Sequence, residues 1–203
     1  MVQTPPGSSS ATLPLHVPET LRLRVTAQQF SDLAASNQDL HLELSATGEL
    51  ILNPPTGWET GERNSNIAGE LYLWWRSQGE PGKIFDSSTA FMLPNNAIRS
   101  PDASWVCPQR WNALTPQQKG TFAKVCPDFV LELRSSSDVL QPLQAKMQEY
   151  LENGARLGWL INPQQQQVEI YRAGQTVEIL AQPNQLSGEE VLQGFVLKLQ
   201  RIF

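Results

Sequence analysis

From Leu21 onward the chain alternates between two hydrophobic rhythms, and the changes of rhythm mark out its elements. In TAQQFSDLAAS, Phe30, Leu33 and Ala34 recur at helical spacing behind Thr26, a residue suited to cap a helix N-terminus, so a short helix is predicted. LHLELSATGELILNP alternates on both sides of a Thr-Gly turn and predicts a β-hairpin. In NSNIAGELYLWWRSQG the helical period returns through Ile67, Leu71 and Trp74, with Gly79 placed to end a long helix. GKIFDSSTAFMLPNNAIRSPDASWVCP carries apolar runs broken by an Asn-Asn turn, which predicts two or three strands, the last of them after Pro101.

After a polar connector, Phe129 to Arg134 reads as a strand, and helical spacing follows at once. Leu143, Met147, Tyr150 and Leu151 share a face, Pro142 fits a first turn and Gly154 a C-terminal stop. LGWLI then predicts a buried strand. QQVEIYRAG, TVEILA and GFVLKLQRIF predict further strands to the C-terminus, which makes the chain mixed α/β. No internal repeat is visible.

Composition narrows the class. At 203 residues, one domain over residues 19–203 is expected, behind a Pro/Ser/Thr-rich flexible tail over residues 1–18. A net charge of −5 argues against a broadly basic nucleic-acid platform and leaves such contacts to local cations or bound metal. Cys107 and Cys126 form no C-x-x-C pair and the chain has only 2 histidines, so zinc spacing is absent and reduced thiols are expected. With neither a basic-then-apolar leader pattern nor an apolar run of spanning length, the expected location is cytoplasmic, with no membrane partner.

Two carboxylates interrupt apolar strands. On a strand, Phe129, Leu131 and Leu133 face one way while Asp128, Val130, Glu132 and Arg134 face the other. A charged Glu132 in buried surroundings costs several kcal/mol unless a cation or donors satisfy it. It pairs with Arg134 on a half-exposed face, or it is a metal or catalytic carboxylate. Asp102 opens an extended segment in a similar way, directly after Pro101. Two converging strand-borne carboxylates can hold a hard divalent ion, since Mg²⁺ takes one or two protein carboxylates and keeps positions for water and phosphate. Lys146, between Leu143 and Tyr150, lies at the edge of the core-facing helical stripe and either snorkels along the flank or aims its ammonium over the strand ends, whereas Glu149 is expected toward solvent.

PTGWETGERN, FDSSTAFMLPN, SPDASWV, FVLELRSSSD, AKMQEYLENGARLGWLINP and GFVLKL, taken in order, resemble the Uma-type family of restriction-endonuclease-like proteins, from about Leu21 to the end. The resemblance implies the PD-(D/E)xK nuclease fold, a mixed central sheet flanked by helices, here with an extra N-terminal hairpin and C-terminal strands. It implies that Pro101-Asp102 is the PD element and Glu132 the acidic residue of (D/E)xK. The usual lysine slot holds Arg134, and Lys146 resembles a lysine that has migrated into the following helix. Glu59 is a candidate further metal ligand or a helix-capping residue, and Asp128 reads as a strand-entry residue.

Other chemistries lack their motifs: no G-x-S-x-G elbow, P-loop or G-x-G-x-x-G is present. The 6 tryptophans are expected in the core or on a dimer face rather than stacked on bases, which leaves a homodimer open. Two functions follow. One is a Mg²⁺-dependent endonuclease, with Mn²⁺ as the alternative ion and nucleic acid, DNA before RNA, as partner. Asp102, Glu132 and Glu59 would then hold the ion, Lys146 would assist at water or phosphate, and Arg134 would hold Glu132. The other is a non-catalytic regulatory or interaction protein that keeps the fold.

Overall fold

The computed structural model describes residues 22–203; the tail expected over residues 1–18 lies outside them. Helix α1 (Ala27–Ser36) starts on a capping box in which Thr26 Oγ1 accepts from Gln29 N–H while Gln29 Oε1 accepts from Thr26 N–H. Its buried Phe30 packs with Leu42 and Leu44 of the predicted hairpin, β1 (His41–Leu44) and β2 (Leu50–Asn53). Gly48 closes that hairpin at φ 81°, a conformation glycine adopts without strain.

Helix α2 (Trp58–Ser77) begins six residues before the predicted Asn64 region, at an N-cap Gly57 that offers no side-chain bond. Between α2 and the Asp102 strand there are three strands: β3 (Lys83–Asp86), β4 (Phe91–Met92) and β5 (Ile98–Arg99). With β6 (Ala103–Val106) they make four where two or three were expected. The polar connector contains two short helices, α3 (Pro108–Ala113) and α4 (Pro116–Lys119), each with proline in its first turn.

Then come β7 (Phe129–Leu133), α5 (Leu140–Glu152), β8 (Leu157–Asn162), β9 (Gln167–Arg172), β10 (Glu178–Ala181), β11 (Gln185–Ser187) and β12 (Val196–Lys198). A six-stranded mixed sheet in the order β10-β9-β8-β7-β6-β3 forms the centre, and only its β7–β8 pair is parallel. That pair needs a crossover, which α5 supplies. A second sheet, β2-β1-β5-β4, carries the hairpin, and β11-β12 form a third.

The strand period sorts β7 as expected. Phe129, Leu131 and Leu133 join one core with Ile67, Leu71 and Trp74 of α2 and with Phe195 and Leu197 near the C-terminus. Val130 joins the opposite core with Met147 and Tyr150 of α5. Each fully buried large apolar side chain contributes roughly 1.5–3 kcal/mol, and β7 and β8 are buried along their whole length, as strands covered on both faces must be. Trp74, Trp105 and Trp159 are core residues, whereas Trp58 is 97 % exposed. Cys107 and Cys126 are buried free thiols, and burial pushes the Cys126 thiol up to about 12. Among the described residues no helix is long and apolar enough to cross a membrane.

Candidate active site

The antiparallel register of β6 on β7 pairs Ala103 with Leu131, so one further step brings Asp102 beside Glu132. Asp102 Oδ2 accepts the Leu133 backbone N–H at 2.8 Å, which locks the carboxylate to the end of β7. Its Oδ1 accepts from Asn64 Nδ2 of α2 at 3.3 Å. Burial raises the Asp102 carboxyl above its usual range even though the Leu133 bond opposes it.

Glu132 lies on the α5 side of the sheet and is only 4 % exposed. Its Oε1 takes two donors from α5, Lys146 Nζ at 2.8 Å and Tyr150 Oη at 3.1 Å. Burial pushes this carboxyl up to about 8, against the pull of Lys146, and the Asp102 and Glu43 carboxylates push the same way. Lys146 donates to three oxygens: Glu132 Oε1, Glu43 Oε1 at 2.8 Å and the Ser100 carbonyl at 3.2 Å. Burial alone would lower its pKa, but Glu132 and Glu43 overcome that and hold the ammonium above its ordinary range. Of the two readings of Lys146, the geometry supports the ammonium aimed over the strand ends.

Glu43 is the residue that the sequence reading passed over. It sits on β1 between Leu42 and Leu44, 3 % exposed, at a polar position of the alternating hairpin pattern that would ordinarily face solvent. Its Oε1 also accepts the Ser100 N–H at 2.8 Å, and its Oε2 meets Arg99 Nη1 at 3.2 Å. Burial would raise Glu43, but Lys146 and Arg99 more than offset this and leave it lowered. Glu149, expected toward solvent, instead turns inward and accepts from Arg99 Nε at 2.6 Å and Asn95 Nδ2 at 2.9 Å. A chain of alternating acidic and basic side chains, buried or half-buried, therefore runs Glu149, Arg99, Glu43, Lys146, Glu132.

Two other expected site residues are placed elsewhere. Arg134 does not pair with Glu132: its Nε donates to the Asp138 carbonyl at 3.1 Å and its Nη1 to Asn162 Oδ1 at 3.3 Å, so it fastens the turn after β7. Lysine reaches Glu132 first because α5 crosses directly over that face. Glu59 lies inside the first turn of α2, 87 % exposed, and pairs with Arg63 one turn on. Asp128 is a buried strand-entry residue, as expected, and its Oδ2 accepts the Cys107 N–H at 2.8 Å.

Asp102, Glu132 and Lys146 line one cleft of about 260 Å³, together with Asn64, His41 and the Pro54-Pro55-Thr56 loop. Among the described residues no group of three or more His, Cys, Asp or Glu is placed to hold a metal ion. The donor set nevertheless fits a hard ion that needs only two protein carboxylates. Burial raises both the Asp102 and the Glu132 carboxyls, and Lys146 offsets that only in part. A divalent cation between Asp102 and Glu132 would offset the rest.

A family model described as Uma2, putative restriction endonuclease, matches residues 27–200. Among solved structures, a similar chain is a putative nuclease belonging to DUF820 from Anabaena variabilis ATCC 29413, determined by crystallography. It is 21 % identical, with a TM-score of 0.62, over 74 % of this chain and 82 % of that one. At that identity the likeness concerns the fold, and both chains share the mixed sheet flanked by helices. No curated protein matches.

Proposed function

The chain belongs to the Uma2 family of putative restriction endonucleases, and we propose that it is a divalent-metal-dependent nuclease that hydrolyses phosphodiester bonds in nucleic acid, DNA in the first instance. What supports this reading most is the meeting at one cleft of Asp102, the residue just before β6, with Glu132 of β7 and Lys146 of α5, Lys146 Nζ lying 2.8 Å from Glu132 Oε1. Asp102 and Glu132 would hold Mg²⁺ or Mn²⁺, and Glu59 would not take part. Bound there, the ion would lower the pKa of a water and neutralise charge on the phosphodiester.

The remaining work falls to the chain. The Leu133 N–H orients Asp102, and Tyr150 with Lys146 orients Glu132. Lys146, fixed as an ammonium by two carboxylates, offers positive charge to a scissile phosphate and does not act as a base. Arg134 holds the β7 turn.

Calorimetric titration of Mn²⁺ into wild type and Asp102→Asn tests the ion site. Wild type is expected to bind one ion, and Asp102→Asn to bind at least tenfold more weakly at an unchanged melting temperature, in keeping with the loss of a ligand or its close support. Equal affinity in both proteins would remove Asp102 from the site. One observation favours a non-catalytic role: all three N–H groups of Lys146 are already taken by Glu132, Glu43 and Ser100. Ion binding without turnover on any nucleic acid would select that role.

A further inference from the structure

The core-facing stripe of α2 changes character along its length. Ile67, Leu71 and Trp74 are buried apolar side chains, but the same stripe continued toward the N-terminus presents Asn64 and then Thr60, and both line the cleft. Asn64 uses its Nδ2 on Asp102 Oδ1 at 3.3 Å. That bond fixes the orientation of the amide, because the flipped form would set a carbonyl oxygen against a carboxylate. Asn64 Oδ1 is consequently the end of the amide that Asp102 does not engage. It is buried, and among the described residues it has no hydrogen-bond partner. A buried carbonyl oxygen left without a donor or a cation bears the full cost of its desolvation.

We propose that Asn64 is the third oxygen donor of the ion site, its Nδ2 fixing Asp102 and its Oδ1 turned on the divalent ion, directly or through one water of the ion's shell. This rests on the ion-site reading above and deepens it. Two carboxylates and a carboxamide form an all-oxygen set, which selects a hard cation such as Mg²⁺ or Mn²⁺ over Zn²⁺. Asn64 also explains why α2 gives up a core position there: the helix N-terminal third serves as the cleft wall facing Asp102.

The test compares metal-free melting temperature with Mn²⁺ affinity by calorimetry, in the full chain, for wild type, Asn64→Leu and Asn64→Asp. Leucine keeps the volume and removes the unpartnered oxygen. Asn64→Leu should therefore melt at or above the wild-type temperature while binding Mn²⁺ about tenfold or more weakly. Asn64→Asp adds another carboxylate beside Asp102, so it should melt lower without metal and bind Mn²⁺ more tightly. If Asn64 is only a strut for Asp102, Asn64→Leu melts lower, and Asn64→Asp, which loses the same N–H donor, binds Mn²⁺ more weakly than wild type; that pair of results overturns the assignment. Wild type that fails to bind Mn²⁺ overturns the ion site and this inference together. Loss of binding in Asp102→Asn but not in Asn64→Leu overturns this inference alone.

Discussion

A lysine whose three N–H groups already meet Glu132, Glu43 and the Ser100 carbonyl has its geometry set before any substrate arrives. The same contacts give the metal-free protein a distinct pH response. Glu132 is raised from 4.5 to about 8, so across that window the folded state keeps a proton that the unfolded chain has released. Stability should therefore fall as pH rises through it. Glu43 is lowered, so its contribution is present above pH 4.5 and is lost as pH falls through its folded value. Urea unfolding in the presence of chelator should thus show a mildly acidic maximum. Glu132→Gln, which mimics the protonated acid, should flatten the decline toward pH 8 and weaken Mn²⁺ binding. A decline of the same steepness in Glu132→Gln would mean that another group titrates. At this scale Asp102, Glu132 and Lys146 are legible in the sequence because each breaks the apolar pattern around it. Glu43 falls on a polar position of an alternating hairpin, where a solvent-facing carboxylate is expected, and its partners Arg99 and Lys146 lie far along the chain, so only the fold shows it buried and paired. Arg134 was misassigned for a related reason: adjacency in β7 says nothing of Asn162, which β8 delivers beside it.

Helix α5 positions the lysine, and it rests on β8 at Gly158. A Cβ at that position would stand 2.5 Å from Met147 Cε and 3.3 Å from Val130 Cγ2, so the absent side chain is what lets the helix sit close to the sheet. Gly158→Ala should cost about 1–3 kcal/mol in urea unfolding, the usual range for overpacking. Because the clash is with the tip of a flexible side chain, Met147→Leu in the same chain should recover part of the loss. A neutral Gly158→Ala would show that the Met147 terminal methyl swings clear and that the close approach there carries no overpacking cost. The long periodic elements, α1, the first hairpin, α2, β7, α5 and β8, were legible because their patterns extend over several turns or alternations. β4 and β5 were not, being two residues each, too short to show a period and defined by pairing with one another and with β1. The α3 and α4 helices are similarly short, and neither has a buried residue to mark a face.

Over the whole molecule, the division into a six-stranded and a four-stranded sheet depends on pairings between distant segments, such as β3 on β6 and β1 on β5, which no local rhythm announces. Their consequence is functional: Glu43 comes from the smaller sheet and Glu132 from the larger, and Lys146 joins them from the crossover helix. A chain of net charge −5 has little general attraction for a polyanion, so on the proposed nuclease reading phosphate contact would be concentrated at this cleft and at the ion proposed there. The decisive measurement is cleavage of supercoiled plasmid and of labelled single-stranded DNA in Mg²⁺ or Mn²⁺ by wild type, Lys146→Ala and Arg134→Lys, with chelator as control. Wild type should cut only with metal. Lys146→Ala should lose about 10²–10³-fold in turnover, as for removal of one fixed electrostatic group, and Arg134→Lys should retain cleavage. Full cleavage by Lys146→Ala, or none by wild type with either ion, would contradict the account.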